Sequence, residues 1–353
     1  MATLDDLRRK VEELPEFCRT ELGPEIRAFG EKHKAAEMPP GMKERFFKFG
    51  AGAGALFIAH LIVSNSPKQI MQSLALALFL GAIICAWQAI KGFLPYLKAR
   101  GEYFRAVNAL VQSFKKKAIA FCDPQFRYSP QATFPAELYK SCGIFSPSYD
   151  VASSEDHVTG VLDKTQFEFQ EVSTFKKETS RDSKGNTTTR YIPIFKGVLF
   201  LADFNKNFKG HTVIQSDVSE KALGVFGRAT QRMMGAVSNM KLVELENPEF
   251  ELHFKVSSTD PTEARYLLSP TFMESMVRLR GKYGQNVQVA FLNSTIVIAI
   301  PHSAGFMEVG TNLDQMSQSL QRLGHELVDM LEIIEDLDLN NRIWNKNPQQ
   351  AGA

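Results

Sequence analysis

Two apolar stretches in the N-terminal third dominate the pattern of hydrophobic and polar positions. The first runs from Phe46 to Val63, interrupted by Lys48 and His60, and the second runs over residues 70–90 without a charged residue. A helix needs about 20 apolar residues to cross the hydrocarbon core of a bilayer. Because only a short polar segment separates the stretches, the pattern predicts a transmembrane hairpin within residues 42–95, with helices at about 46–64 and 70–90.

The glycines of the first stretch have another interpretation, a phosphate-binding loop. Gly50, Gly52 and Gly54 alternate with alanines, as in G-x-G-x-x-A. A dinucleotide-binding fold also needs an acidic residue about 20 positions later to hold the ribose. No Asp or Glu occurs between Glu44 and Glu102, which argues against a nucleotide site. The remaining alternative is a buried hairpin in a soluble domain, and the long acid-free run favours the membrane instead.

Small residues recur at a spacing of four within both apolar stretches. Helices in lipid associate where small side chains allow their backbones to approach each other. We therefore predict that these residues pack the two helices, either against each other or against a second copy. The set is Gly50, Gly54, Ser73, Ala77, Gly81 and Cys85.

Basic residues lie on the two flanks of the hairpin, whereas its turn carries only Lys68. The positive-inside rule then predicts that both chain termini face the cytoplasm. Some of these residues are candidates for contact with anionic lipid headgroups, and the alternative is a solvated helix face that only supports the topology. The candidates are Lys91, Lys98, Arg100, Lys115, Lys116 and Lys117.

The segments on either side of the hairpin read as helical. Residues 1–41 are predicted as an amphipathic helix followed by a linker, because Leu4, Leu7, Val11 and Leu14 have heptad-like spacing. Residues 96–140 are predicted as a helical stalk that continues to about residue 121 and then becomes an irregular connector with one short helix around 135–141.

From residue 141 to 310 the pattern changes to β-branched and aromatic runs separated by turn signals. We predict a long hairpin around the turn at 180–186, a second around Asn293-Ser294, and strands that include residues 250–256. Helices are expected to begin at Asp260 and Ser269, each followed by proline. A loose helix is assigned to 218–240. The fold class is therefore α+β, a mostly antiparallel sheet with packed helices, placed in the cytoplasm.

A long amphipathic helix is predicted at residues 311–340, with residues 341–353 disordered. Its apolar positions alternate three and four apart, which suits either a coiled-coil seam between copies or docking on the chain's own sheet or stalk helix. The candidate oligomer seam is Leu313, Met316, Leu320, Leu323, Leu327, Met330, Ile334 and Leu337.

Candidate chemistry is sparse. The four cysteines are widely spaced and form no disulfide framework or zinc motif, and no catalytic motif is present. A net charge of +2 gives no argument for nucleic acid as a partner. The strand histidines His157, His211 and His253 are more simply half-exposed strand residues than metal ligands. We therefore predict no catalytic residue, no metal and no cofactor.

Three stretches resemble a bacterial family, that of domain-of-unknown-function 3137. They are EDHVTG (155–160), FKGVLFLADFNKNFKGHTVI (195–214) and KLVELENPEFELHFKVSSTDPTEARYLLSPTFMESMVRLR (241–280). The resemblance covers about residues 140–310, and members are similar to this chain in carrying an N-terminal membrane hairpin. It implies a bacterial inner-membrane protein, and it implies no catalytic residues.

Three functions remain open from the sequence. The leading hypothesis is a non-enzymatic membrane-anchored protein whose cytoplasmic domain binds another protein or itself. The second is a module that binds lipid or a small ligand at the inner face of the membrane. The third is an enzyme whose site follows no known motif. The expected partners are membrane lipids, an unidentified protein and a second copy of the chain.

Overall fold

The structure is a computed structural model that describes residues 3–33, 41–64, 69–145, 149–181, 185, 187–204, 206, 208–216, 239–302 and 305–340. It divides the chain into two compact units. One unit contains residues 1–18, 114–310 and 314–353, and we call it the α+β unit. The other contains residues 19–113 and 311–313, and we call it the helical unit.

The helical unit is built from α2 (Gly23–Lys32), α3 (Met42–Ser64) and most of α4 (Gln69–Cys122). These bounds confirm two helices in the predicted hairpin and confirm that the second continues as a stalk. Both α3 and α4 are long and apolar enough to cross a membrane. The predicted turn at residues 65–68 lies outside the described part of the chain.

The described residues of the α+β unit form a nine-stranded sheet in which every neighbouring pair is antiparallel. The spatial order is β1-β2-β3-β4-β9-β8-β5-β7-β6. The strands are β1 (Arg127–Gln131), β2 (Val151–Leu162), β3 (Thr165–Arg181), β4 (Thr187–Asp203), β5 (Thr212–Ser216), β6 (Lys241–Val243), β7 (Phe254–Ser258), β8 (Gln288–Leu292) and β9 (Thr295–Pro301).

Both predicted hairpins are confirmed. The first joins β3 to β4 with Arg181 opposite Thr187, and the second joins β8 to β9. In the second, Asn293 and Ser294 have φ values of 50° and 59°. Positive φ at both central residues is the geometry of a type I′ turn, whose twist matches that of the flanking strands.

The predicted helix starts at Asp260 and Ser269 are confirmed. The further helices of the α+β unit among the described residues are α1 (Leu4–Phe17), α5 (Ala136–Ser141), α6 (Pro248–His253), α7 (Pro261–Leu267), α8 (Pro270–Tyr283) and α9 (Met316–Asp336). The Asp260 carboxylate accepts hydrogen bonds from the Thr262 and Glu263 amides, and the Ser269 hydroxyl accepts one from Phe272. These caps satisfy amides that have no partner inside the helix.

One strand prediction was wrong in its first half. Residues 250–256 were expected to be extended, but α6 runs through His253 and β7 begins only at Phe254. Asn247 caps α6 by accepting from the Phe250 amide, and Pro248 occupies its first turn. These local helix-start signals outweigh the β propensity of the segment. The predicted helix at 218–240 and the tail at 341–353 fall outside the described residues, except for 239–240.

The central strands of the sheet are buried on both faces, which explains the continuous apolar runs of β8, β9 and the second half of β4. Leu199 and Leu201 pack with Tyr139 and Phe145 on one face, where the Tyr139 and Phe145 rings stack with centroids 4.1 Å apart. Phe200, between those two leucines, stacks with Phe169 on the other face. Successive side chains of a strand point to opposite faces, so a strand covered on both sides is apolar throughout.

Candidate functional site

The hairpin of α3 and α4 exposes its large apolar side chains. Ile62 keeps 72% of its surface exposed, and Ile84 keeps 60%. None of the most apolar window of α3 is buried by the rest of the chain, and only 17% of that of α4 is. A core helix of a soluble protein hides these residues, so this region needs apolar surroundings that the chain does not supply.

Four contacts define how α3 and α4 meet. The Phe46 and Phe93 rings lie 4.8 Å apart, a Cβ built at Gly52 would lie 4.0 Å from Cys85 Sγ, and one at Gly81 would lie 3.4 Å from Leu56. Nearer the turn, the His60 Nδ1 donates to the Ala75 carbonyl over 2.8 Å. As position rises along α3 it falls along α4, so the helices are antiparallel.

The predicted packing residues divide into two groups. Gly81 and Cys85 lie in the interface, whereas Ser73 and Ala77 are exposed. A Cβ at Gly50 or Gly54 would meet nothing within 4 Å, so the G-x-x-x-G pair faces away from α4. Packing of Gly50 and Gly54 against a second copy stays a prediction.

The buried stripe of α4 has a spacing of seven rather than four. Ala75, Ala82 and Ala89 are the most buried alanines of the part of α4 that packs against α3, at 4%, 6% and 7% exposure. In a helix with 3.6 residues per turn, a four-residue repeat rotates by about 40° at each step, so it leaves a straight interface after two or three steps. A seven-residue repeat drifts by only about 20° and stays on one face. The alanines that recur every seven residues are present in the sequence, but the prediction followed the four-residue repeat of small residues instead.

The predicted lipid-contact residues also divide. Lys91, Lys98, Arg100 and Lys116 are exposed, and Lys117 is half-buried with its Nζ 5.6 Å from the centre of the Phe114 ring. The prediction for Lys115 was wrong. It is only 5% exposed inside the α+β unit, so it does not reach a headgroup.

Lys115 instead forms a buried ionic cluster with Asp156 and Tyr128. Its Nζ lies 2.9 and 3.0 Å from the two carboxylate oxygens of Asp156, and the Tyr128 hydroxyl donates to the same carboxylate. Asp156 is the extra residue of a bulge in β2 and has a φ of 52°. Burial, the largest cause, and the hydrogen bond to Asp156 raise the pKa of Tyr128. The cluster joins the last turns of α4 to the sheet, and no sequence signal identified it.

The prediction of an oligomer seam on α9 was also wrong, because the apolar stripe of this helix is buried inside the α+β unit. Met316, Leu320, Leu327 and Ile334 are fully buried, and Leu323, Met330 and Leu337 are at most 4% exposed. A Cβ at Gly324 would lie 3.0 Å from Leu14, so the glycine allows α9 to lie close against α1. Helix α9 therefore docks on its own chain, the alternative that the pattern left open. Only Leu313, assigned to the helical unit, is half-buried.

Cys122, Cys142 and His211 of the α+β unit have the chemistry of groups enclosed by the core. Burial raises the pKa of the Cys142 thiol to about 11 and that of Cys122 to about 12. Burial lowers the pKa of His211, whose Nε2 donates to the Cys142 carbonyl over 2.8 Å. A reactive thiol needs the opposite shift. Among the described residues, no group of three or more His, Cys, Asp or Glu could hold a metal.

A buried carboxylate, Glu171, and a half-buried one, Glu326, hold the loop at residues 305–309. Glu171 accepts from the Phe306 amide over 2.9 Å, and Glu326 accepts from the Met307 amide over 2.6 Å. Burial raises the pKa of both carboxyls, and each amide hydrogen bond opposes that shift. Consecutive amides are therefore fixed by side chains from β3 and α9, and this fastens the loop to the core.

A cavity of 260 Å³ lies beside Lys206 in the α+β unit, lined also by Phe204, Phe272 and Leu339. The Lys206 Nζ donates to the Tyr266 carbonyl over 3.1 Å, and burial lowers its pKa. Sequence reasoning missed this lysine because carbonyl partners from another element leave no local pattern.

At β6, the last strand of the sheet, one strand edge has no partner among the described strands, and exposed apolar side chains lie nearby. β6 is the last strand of the sheet and pairs only with β7 among the described strands. Leu242 on this strand is 62% exposed and Leu252 of the neighbouring α6 is 70% exposed. A cavity of 180 Å³ is lined by Leu242 together with Phe250 and Phe254. Such an edge can accept an extended segment of another chain.

The fold and these surfaces define a class, a two-helix apolar hairpin continuous with an antiparallel α+β domain. Residues 193–339 match the model of the family described as Protein of unknown function (DUF3137), which confirms the resemblance over this part of the chain. The match begins in β4 and extends through α9, so it includes the C-terminal helix.

Two further comparisons add little. No curated protein matches the chain. The crystal structure of the mycobacterial trehalose monomycolate transport factor A, TtfA, is similar at 10% identity and a TM-score of 0.31, over 63% of this chain and 95% of that one. A similarity at that TM-score carries no argument about fold or function.

Proposed function

We propose that the chain is a non-enzymatic membrane-anchored protein whose α+β unit binds another protein or a second copy. The hairpin of α3 and α4 crosses the inner membrane of a bacterium, and both termini lie in the cytoplasm. The observation that carries the proposal is the outward apolar surface of the hairpin, because helices of this length with bare apolar faces suit a hydrocarbon environment.

The orientation is supported by the distribution of basic residues. Lys43, Arg45 and Lys48 lie on one flank, and Lys91 and Lys98 on the other, whereas Lys68 alone lies in the turn. The excess on the flanks places them on the cytoplasmic side.

Carbonate extraction with protease access from the periplasmic side tests the anchor. We expect the full chain to stay in the membrane pellet, with cleavage confined to the turn at 64–69. Release by carbonate would overturn the anchor, and cleavage of the α+β unit from outside would overturn the orientation.

The interaction part of the proposal is supported by the exposed edge at β6. An extended partner segment would pair with the free side of the strand and cover Leu242 and Leu252. In Leu242→Lys a charge would replace the exposed apolar side chain at the centre of β6, where it opposes such pairing.

Self-association through this edge is measured as the mass of the full chain in mild detergent by light scattering. We expect a mass above the monomer for the wild type and a monomer for Leu242→Lys. Tyr191→Lys is the matched control, because Tyr191 is 56% exposed on the β3–β4 hairpin and should leave the mass unchanged. A monomeric wild type would exclude self-association and leave a different protein as the partner.

A second function, binding of a small ligand or lipid by the α+β unit, is favoured by the cavity beside Lys206. The lysine and the Phe204 and Phe272 rings give it a cationic group and an apolar wall. Native mass spectrometry of the full chain should then detect a co-purifying compound that Lys206→Met loses. Equal spectra for both proteins would reject this function.

A further inference from the structure

A third cavity lies between α3 and α4 at the end of the hairpin opposite the turn. Its volume is 430 Å³, and it is lined by the first turns of α3 and by α4 just beyond Ala89. Arg45 and Lys91 supply two cationic groups to its lining, and Gln88 supplies an amide. All of these residues belong to the helical unit.

The remaining wall of this cavity is aromatic. Phe46, Phe49 and Phe93 line it, and the Phe46 and Phe93 rings pack 4.8 Å apart across the two helices. Gly92 leaves the cavity open on the α4 side, because a Cβ there would meet nothing within 4 Å.

The two cations have no carboxylate partner in the described part of the chain. Neither Arg45 nor Lys91 forms an ion pair there, and both are exposed. Glu44 is the only acidic residue from 42 to 101, and it points about 100° away from Arg45 around the helix. Among the described residues, the cavity therefore has two cationic groups without a neighbouring carboxylate.

The position of the cations along the helices identifies the depth of the site. Arg45 immediately precedes the apolar run that starts at Phe46, and Lys91 immediately follows the uncharged run that ends at Ile90. In a chain that spans a bilayer, both lie where hydrocarbon gives way to headgroups. Phe49, one helical turn beyond Arg45, then lies toward the acyl chains, and the Phe46–Phe93 pair lies near the level of the two cations.

We propose that this cavity binds one anionic phospholipid, with its phosphate between Arg45 and Lys91 and its acyl chains against the phenylalanine rings. This inference rests on the proposed membrane insertion. The occupant is a lipid rather than free phosphate because a soluble anion would gain nothing from the aromatic wall. Basic pockets between transmembrane helices are known to suit anionic headgroups.

The chain carries a reporter for this site. It has two tryptophans, Trp87 and Trp344, so Trp344→Phe leaves Trp87 as the sole indole. Trp87 is 62% exposed and lies four residues before Lys91, on the same face of α4. A brominated lipid that occupies the cavity will contact and quench this indole.

The experiment reconstitutes the full Trp344→Phe chain in vesicles and compares quenching by brominated phosphatidylglycerol with quenching by brominated phosphatidylcholine. We expect a preference for the anionic lipid of about five-fold per cation at low salt, which weakens as salt is added. Arg45→Gln and Lys91→Gln each remove one such factor, and the double variant removes the preference. Lys98→Gln is the matched control, because Lys98 is an exposed lysine of α4 outside the cavity and should retain it.

Three results would overturn the site. Equal quenching by both lipids in the parent chain would reject it and leave the membrane anchor standing. An equal loss in Lys98→Gln would show that general surface charge, rather than the cavity, attracts the lipid. No quenching by either lipid would place Trp87 outside the bilayer, and the proposed function would then fail with the site.

Discussion

The hairpin and the α+β unit are both rich in large apolar side chains, but they direct them oppositely. Ile62 and Ile84 of the hairpin keep 72% and 60% of their surface exposed, whereas Phe169 and Phe200 of the sheet are at 0%. The sheet removes its apolar surface from water by packing elements on both faces. Over the apolar stretch, each helix of the hairpin packs on the other among the described residues. Its outer face therefore stays apolar and exposed, which suits an external apolar phase.

The interfaces inside the two regions differ for the same reason. In the α+β unit, phenylalanines and leucines fill the space between the layers. In the hairpin, Ala75, Ala82, Ala89 and Gly81 are among the residues that let the backbones approach, and most of the large side chains point away. Small interfacial residues are typical of helices that gain nothing by hiding apolar side chains from lipid. The following predictions would break or sharpen this comparison.

Phe200→Ala should cost about 3–5 kcal/mol of the free energy of unfolding, because it leaves a cavity opposite Phe169. The matched change Ile84→Ala should leave the unfolding of the α+β unit unchanged. Thermal unfolding of the full chain in detergent, followed by near-ultraviolet circular dichroism, measures both. Equal destabilisation by the two changes would mean that the hairpin also belongs to a protein core.

Lys115→Met should cost about 3–5 kcal/mol, because it leaves the buried Asp156 carboxylate without its cation. Lys116→Met, at the exposed neighbouring position, should change stability by less than about 0.5 kcal/mol. Urea unfolding of the two variants compares them. A small effect of Lys115→Met would mean that Lys115 is exposed to solvent like Lys116, and that α4 enters the core only beyond residue 115.

Ile84→Lys should reduce membrane insertion, since a lysine at the centre of a transmembrane helix costs about 2.5–3.5 kcal/mol. The measurement is the fraction of chain retained in the pellet after carbonate extraction, with Lys98→Ala as the control on the same helix. An increased yield of folded, carbonate-soluble protein would instead identify the hairpin as a water-exposed surface and remove the contrast between the regions.

Glu171→Gln should change how stability depends on pH rather than abolish folding. The folded-state pKa of Glu171 is raised, so its contribution is largest below the unfolded pKa and is lost as pH rises through the folded value. Glutamine keeps the acceptor for the Phe306 amide and does not ionise. The variant should therefore gain stability relative to the wild type between pH 4 and pH 8, by about the same margin in low and high salt because the group is buried. The measurement is the melting temperature of both proteins as a function of pH. The same pH dependence for the variant and the wild type would show that the burial of this carboxyl has no energetic consequence.

Much of the architecture was readable from the sequence because its signals are local. The two apolar runs, the proline-marked helix starts at Asp260 and Ser269, and the turn at Asn293-Ser294 each depend on neighbouring residues alone. Periodicity also identified the stripe of α9, from Met316 to Leu337. It did not decide what covers the stripe, because a docked helix and a coiled coil need the same spacing.

Only the tertiary structure decided which residues meet across long separations. The sequence presents Lys115 as one of three adjacent lysines, yet the bulge at Asp156 brings a carboxylate from another element to it and removes it from the surface. The sequence also shows Gly50 and Gly54 as a packing motif, yet helix geometry turns them away from α4 and brings Gly52 and Gly81 to the interface. Local preferences set each element, and the burial of charge and the rotation of one helix against another are properties of the assembled chain.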